Sequence, residues 1–167
     1  MLVNPRTGPI KGGIVLLPKR FVIDKAVLHS AQGIANTGFA VSVPELAASP
    51  RSIDDITVDE LVNAVLAAKQ AARDLRKTLG KTKKVGAVGA WLAGTVALLS
   101  SDEQFDAIVV VCPFVRLPVA DEVVLRQPLT VVSSARAPVL AVFGELDGEV
   151  PIEDIRALEK ALSSSPE

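Results

Sequence analysis

The residue types that carry out nucleophilic and acid–base chemistry are scarce in this sequence of 167 residues. It contains one histidine, His29, and one cysteine, Cys112. His29 lies beside Ser30 and Gln32, one position off the apolar stripe of a predicted helix, so we interpret it as a surface side chain. A single cysteine excludes an internal disulfide and a metal site built from several cysteines.

Cys112 ends a predicted strand, where a ligand could reach it. A thiol becomes nucleophilic beside a histidine or in a cationic setting. Arg116 and Lys19 could supply such charge, but at a strand end we interpret the thiol as inert and partly buried. Two interpretations of Lys19 and Arg20 remain open. In the first, the two cations bind an anion together with nearby helix N-termini. In the second, they are solvated loop side chains without a ligand.

Two glycine patterns suggest nucleotide sites, but both are in the wrong place. The Gly-Lys-Thr at 80–82 follows a predicted helix, and Leu75 stands where a phosphate-binding loop needs its first glycine. The glycines at 86, 89 and 94 lack the dinucleotide spacing and lie at the third predicted strand. Three acidic pairs near predicted helix starts are explained by capping and the helix dipole: Asp54-Asp55, Asp59-Glu60 and Glu153-Asp154. We expect no metal and no cofactor.

The composition indicates one folded domain that spans residues 1–167. Apolar residues make up 49% of the chain and charged residues 22%, which argues against disorder. The formal net charge of −1 gives no reason to expect nucleic acid or a membrane as a partner. No apolar run reaches the roughly 18 residues of a spanning helix, and residues 1–13 lack the apolar region of a secretory signal. We therefore expect a cytoplasmic protein.

Five short apolar runs alternate with helical patterns along the chain. The runs are Gly13–Leu17, Phe39–Val43, Lys84–Val88, Ala107–Val111 and Val139–Phe143. Each is nearly continuously apolar, which is typical of a strand covered by helices on both faces. The alternation predicts an α/β fold, in which a doubly wound, five-stranded parallel sheet forms the middle of a three-layer sandwich.

The clearest predicted helix covers Val58–Leu79, since Thr57 and Glu60 form a capping box ahead of a long apolar stripe. Further helices are predicted over Asp24–Asn36, from Trp91 to Ser100, and from Pro151 onward. The segment 113–137 contains three prolines and predicts two short helical turns, one near 120–125.

Four segments carry recognisable motifs in a fixed order: LPKRF at 17–21, NTGFAVSVPEL at 36–46, VGAVGAWLAG at 85–94 and APVLAVFGELDGEVP at 137–151. Together they resemble the dienelactone hydrolase family of the α/β-hydrolase fold. The first is similar to that family's oxyanion loop, the third to its nucleophile elbow, and the last to the stretch that holds its catalytic acid. The resemblance covers about residues 12–162.

The resemblance implies the strand order 2-1-3-4-5, with a ligand site where the first and third strands end. It places seven residues on one rim: Lys19, Arg20, Phe21, Trp91, Leu92, Cys112 and Asp147. Trp91 stands at the nucleophile position, and an indole cannot attack a carbonyl. The family's histidine lies beyond the last predicted helix, and this chain ends at Glu167 before a further strand. Asp147 matches the catalytic acid; the alternative is a loop carboxylate that caps the next helix.

The absence of a nucleophile at position 91 and of the family's histidine leads to three hypotheses. The first is a degenerate family member without esterase activity that acts as a binding or interaction module, with a small carboxylate, an ester or another anion as ligand. The second is a weak hydrolase of small esters or lactones with an unconventional nucleophile, Cys112 or a serine such as Ser133. In the third, a partner completes the fold, because the fifth strand leaves an open edge; a homodimer would form through that edge or the C-terminal helix. At the elbow we expect Trp91 to be strained at positive φ or to have relaxed.

Overall fold

A computed structural model describes residues 1–46, 52–101, 105–118 and 125–163. Within these residues, six strands form one sheet: β1 (Leu2–Val3), β2 (Gly12–Leu17), β3 (Phe39–Ser42), β4 (Val85–Ala90), β5 (Ala107–Val111) and β6 (Val139–Val142). Their order across the sheet is β1-β3-β2-β4-β5-β6. The five longer strands are parallel to one another, and their order confirms the doubly wound arrangement predicted from the sequence.

The sixth strand corrects the expected count of five. Strand β1 pairs antiparallel with β3, so that Leu2 lies opposite Ser42 and Val3 opposite Val41. The terminal ammonium group of Met1 extends this pairing and donates a hydrogen bond to the Val43 carbonyl at 2.8 Å. A strand of two residues is too short to produce an apolar period, which is why the sequence does not predict it.

Within the described residues, four helices lie between consecutive strands and a fifth follows β6: α1 (Lys25–Asn36), α2 (Val58–Leu79), α3 (Leu92–Leu99), α4 (Pro128–Val132) and α5 (Ile152–Ser163). The bounds of α2 are those predicted. Its capping box is present, since the Thr57 hydroxyl accepts from the Glu60 amide and the Glu60 carboxylate from the Thr57 amide. The predicted turn near 120–125 lies almost entirely outside the described residues, whereas α4 supplies a short helix in that segment.

The helices cover the two faces of the sheet unequally. Helix α1 packs on β3 at one side of the first face, whereas α2 and α3 pack on the second face across β3 to β5. Helices α3, α4 and α5 contact one another in sequence along this second face. The larger apolar core lies on the second face, and a small core of Ala31, Ala35, Val41 and Val43 lies under α1. None of the helices described here has the length and apolar character needed to cross a membrane.

Candidate functional site

The turn between β4 and α3 has the geometry of a nucleophile elbow. Strand β4 ends at Ala90 and helix α3 begins at Leu92, so one residue, Trp91, makes the whole turn. Its backbone adopts φ 59° and ψ −128°, a region that side-chain-bearing residues rarely occupy and that costs about 1–3 kcal/mol. Of the two expectations for this turn, the strained one is confirmed.

Two glycines make this sharp turn possible. A Cβ on Gly89 would lie 2.4 Å from the Ala93 carbonyl oxygen, so β4 and α3 cross too closely for any side chain there. A Cβ on Gly94 would lie 3.2 Å from the Gly89 carbonyl oxygen and 3.3 Å from Pro113. Glycine is therefore required at position 89 for the strand and helix to meet at this distance.

Three neighbours fix the Trp91 side chain, which is half-buried. Its indole N–H donates a hydrogen bond to the Glu149 carboxylate. The ring centroid lies 5.5 Å from that of Phe114 in a tilted arrangement, and the Lys19 ammonium group lies 5.4 Å from the ring centroid. These distances match the favourable ranges for aromatic pairs and for a cation over an aromatic face. These three contacts hold the indole at the turn between β4 and α3.

Cys112 and Asp147 lie together beside this tryptophan. A hydrogen bond to the Asp147 carboxylate and burial both raise the pKa of the Cys112 thiol, and the Gly144 amide and Lys19 only partly oppose them. The same hydrogen bond, with one from the Glu149 amide, lowers the pKa of Asp147. The carboxylate therefore stays ionised and holds the thiol protonated, which is the reverse of nucleophile activation.

Asp147 caps a loop turn instead of the following helix. Its carboxylate accepts from the Glu149 amide at 3.0 Å, and α5 begins only at Ile152. The helix-capping role considered for Asp147 is therefore not seen. The contacts of its carboxylate are to Cys112, Glu149 and, through charge, Lys19.

Two of the seven predicted rim residues direct their side chains into the core. Leu92 is fully buried, and Phe21 is buried although its backbone has φ 60°. Lys19 and Arg20 are exposed and line an open cavity of about 760 Å³ between α1 and the ends of β2 and β4. The structure therefore brings Lys19, Trp91, Cys112 and Asp147 together, with Arg20 close by at the cavity.

Two other residues considered for catalysis, His29 and Ser133, lie away from this cluster. His29 is exposed on α1, on the opposite face of the sheet from α3. Ser133 is exposed at the end of α4, where its hydroxyl donates a hydrogen bond to the Thr130 carbonyl at 2.8 Å. Among the described residues, no group of histidine, cysteine and carboxylate side chains could hold a metal ion.

Sequence reasoning missed the residues that position Trp91. Glu149 and Phe114 lie on loops, 58 and 23 residues away in sequence, and no periodic pattern marks them. Thr95 also escaped notice, although its hydroxyl donates to the Phe114 carbonyl and accepts from the Phe114 amide, both at 2.9 Å. The one available signal was that Glu149 is an acidic loop residue two places after Asp147. That position alone does not indicate a contact with Trp91.

The sheet order, the elbow and the rim together define a protein of the α/β-hydrolase class. The family model of the dienelactone hydrolases matches residues 1–166, and the chain belongs to this family. No curated protein matches the sequence.

Solved structures share the fold at low sequence identity. A protein described as a dienelactone hydrolase from Klebsiella pneumoniae subsp. pneumoniae MGH 78578 has a TM-score of 0.74 and 18% identity, covering 98% of this chain and 73% of its own. Thermogutta terrifontis esterase 2, phosphorylated by paraoxon, has a TM-score of 0.66 and 18% identity, covering 97% and 71%. An alpha-beta serine hydrolase homologue from Coxiella burnetii has a TM-score of 0.69 and 18% identity, covering 99% and 76%.

Proposed function

We propose that this chain is a non-hydrolytic member of the dienelactone hydrolase family that binds a small carboxylate, an ester or another small anion. The observation that carries the proposal is the indole of Trp91 at the elbow. Hydrolysis by this fold needs a serine or cysteine at that turn, because the attacking atom must project over the amides at the start of the helix. The contacts to Glu149, Phe114 and Lys19 keep the ring there.

The cavity beside the rim has the chemistry of a site for an anion with an apolar body. Its walls include the apolar side chains of Leu16, Val27 and Val88, and the cations Lys19 and Arg20 line it as well. Asp24, the one carboxylate among the described lining residues, already accepts a hydrogen bond from the Val27 amide as the N-cap of α1. A few convergent charges in a mainly apolar concavity are typical of a small-molecule site.

Trp91, the only tryptophan of the chain, is not in the cavity lining, but Lys19 lines the cavity and lies over its ring, so its fluorescence should respond to a ligand bound there. We expect benzoate and hexanoate to change Trp91 fluorescence saturably, and benzyl alcohol, which lacks the charge, to change it much less. Lys19→Gln and Arg20→Gln should each raise the half-saturating concentration by about tenfold, the equivalent of about 1.4 kcal/mol. Lys25→Gln is the matched control, since Lys25 is exposed on α1 outside the cavity lining.

Because Lys19 lies over the indole, its substitution changes the baseline emission. The comparison therefore uses the half-saturating concentration and not the amplitude. If neither carboxylate gives a saturable change, or if both cavity variants bind as the control does, the binding proposal is wrong.

A second candidate function is hydrolysis through Cys112. The observation in its favour is the contact between this thiol and Asp147, the residue at the position of the family's catalytic acid. The direction of the thiol pKa opposes it, because a raised pKa leaves less thiolate at neutral pH. The two candidates therefore differ in the reactivity they predict for the same residue.

Covalent probes separate the two candidates. We expect intact-mass analysis to find no adduct with paraoxon and to find that iodoacetamide labels Cys112 slowly at neutral pH. Asp147→Asn should speed the labelling, because it removes the group that raises the thiol pKa, whereas the exposed Glu145→Gln in the same loop should not. A stoichiometric paraoxon adduct, or ester turnover abolished by Cys112→Ser, would instead establish the hydrolase.

A further inference from the structure

The floor of the cavity beside α1 crosses three neighbouring strands of the sheet. Strands β2, β4 and β5 are adjacent, and their register places Leu16 beside Val88 and Ala90 beside Val111. All four of these residues line the cavity. Adjacent strands are about 4.8 Å apart, so the floor extends about 10 Å from the first of these strands to the last. The floor therefore runs across the strands and not along one of them.

The side chains of this floor are aliphatic. Side chains alternate between the two faces of a strand. Ala87 and Val110 are buried in the core on the α3 side, so Val88 and Val111 lie on the α1 side. None of the described lining residues is aromatic, and the ring-on-ring contacts that stabilise an aromatic ligand are therefore not available here. A flexible methylene chain needs no such contacts, because it is held by the burial of apolar area alone.

The charges lie at one end of the floor. Lys19 and Arg20 follow the end of β2 and line the cavity there. At the opposite end, β5 closes with Val111, which is 40% exposed. On the α1 wall, the Ser30 hydroxyl already donates a hydrogen bond to the Ala26 carbonyl at 3.0 Å. Along the floor, the lining therefore changes from cationic beside β2 to uncharged at β5.

We propose that the ligand of this cavity is a linear alkyl carboxylate, that is, a medium-chain fatty acid such as decanoate. This inference rests on the function proposed above, in which the cavity binds an anion, and it names the class of that anion. The carboxylate lies at Lys19 and Arg20, and the chain crosses Val88 and Ala90 to end at Val111. A volume of about 760 Å³ is in the range that holds a drug-sized ligand, and a short acid would leave the β5 end of the floor uncovered.

Isothermal titration calorimetry with hexanoate, octanoate and decanoate, below the concentrations at which they form micelles, tests the length of the ligand. Each fully buried methylene group tightens binding roughly fourfold. Because the cavity is open and burial is incomplete, we expect about fivefold for each pair of added methylene groups. Naphthoate, a rigid aromatic acid with a similar number of carbons, should bind more weakly than decanoate. Equal affinities for the alkyl acids, or tighter binding of naphthoate, would overturn the proposal.

Val111→Ser tests where the chain ends. It should weaken decanoate binding about threefold, because apolar contact area is lost, and leave hexanoate binding unchanged, because the shorter chain ends over β4. Val142→Ser is the matched control. Val142 lies beside Val111 in the register of β5 and β6 and is 46% exposed, but it is outside the cavity lining. The result is read as the ratio of the two affinities in one variant, so a partly unfolded variant, which would bind both acids less, does not imitate it.

These outcomes separate the fatty-acid inference from the function on which it rests. If none of the alkyl acids binds, the anion site itself is wrong and this inference fails with it. If hexanoate binds and Lys19→Gln weakens it, but decanoate binds no more tightly, the anion site stands and the alkyl chain is wrong. If Val111→Ser changes the ratio of the two affinities no more than Val142→Ser does, the proposed path of the chain is wrong.

Discussion

Trp91 holds a backbone conformation that costs free energy, yet several neighbours are arranged around its side chain. The positive φ of 59° is what the elbow needs to project a side chain out of the turn. The contacts to Glu149, Phe114 and Lys19 offset part of that conformational free energy. An elbow that had relaxed would have no need of Gly89 at the crossing with Ala93. The turn therefore has the geometry of a nucleophile elbow, with an indole on it.

Substitutions at Trp91 separate the backbone strain from the side-chain contacts. Trp91→Gly and Trp91→Ala both remove the ring, but only glycine is free of strain at φ 59°. We expect Trp91→Gly to be more stable than Trp91→Ala by about 1 kcal/mol in urea unfolding. Because both variants lack the only tryptophan, far-UV circular dichroism is the appropriate signal.

The same pair of substitutions at Leu66 is the control, since this residue is exposed in the interior of α2. There the order should reverse, with alanine more stable than glycine by about 1 kcal/mol. If Trp91→Ala proved at least as stable as Trp91→Gly, the turn would not be strained and the elbow would be relaxed.

Helices and strands could be predicted where the burial of one or both faces gives the sequence a regular pattern of apolar residues. Helix α2 has the predicted bounds because a capping box starts it, and Gly80, at φ 85°, ends it. The strands differ from their predicted bounds by one or two residues at most, since apolar runs show which residues are buried but not where hydrogen bonding stops. Strand β1 was missed because two residues carry no period.

The loops of the site were only partly predictable. The motif order placed Lys19, Trp91, Cys112 and Asp147 on one rim, and the structure brings these four together. The sequence could not show that Glu149 holds the indole, because a contact between two loops depends on the path of the backbone. Nor could it show that Leu92, next to the elbow, points into the core. That direction depends on the rotation of α3 relative to the sheet.

The molecule as a whole is stabilised unequally on its two faces. The second face carries nearly all of the buried apolar side chains, whereas the first face has the small core under α1. Asp106 is the main polar contact on the well-packed side. Its carboxylate accepts hydrogen bonds from the Val85 amide at 2.8 Å, from Arg76 at 2.7 Å and from Lys84 at 2.9 Å. It thereby connects α2, the start of β4 and the start of β5.

The protonation of Asp106 should make the stability of the chain depend on acid pH. Burial by itself would raise the pKa of this carboxyl, but the hydrogen bonds from Val85, Lys84 and Arg76 outweigh burial and lower it from its ordinary value of 3.8. A carboxyl with a lowered folded pKa stabilises the protein above its unfolded pKa, and this contribution is lost as the pH falls through the folded pKa.

We therefore expect Asp106→Asn to lower the free energy of unfolding by about 2 kcal/mol at pH 7. The difference in unfolding free energy between the variant and the unmodified chain should shrink steadily as the pH is lowered below 4. Urea unfolding at a series of pH values measures this. Asp74→Asn is the matched control, because Asp74 is exposed on α2 and its carboxylate accepts one hydrogen bond, from Gln70; it should change stability little at any pH. A constant difference for Asp106→Asn across the series would show that the shape of the side chain, and not its charge, holds these three elements together.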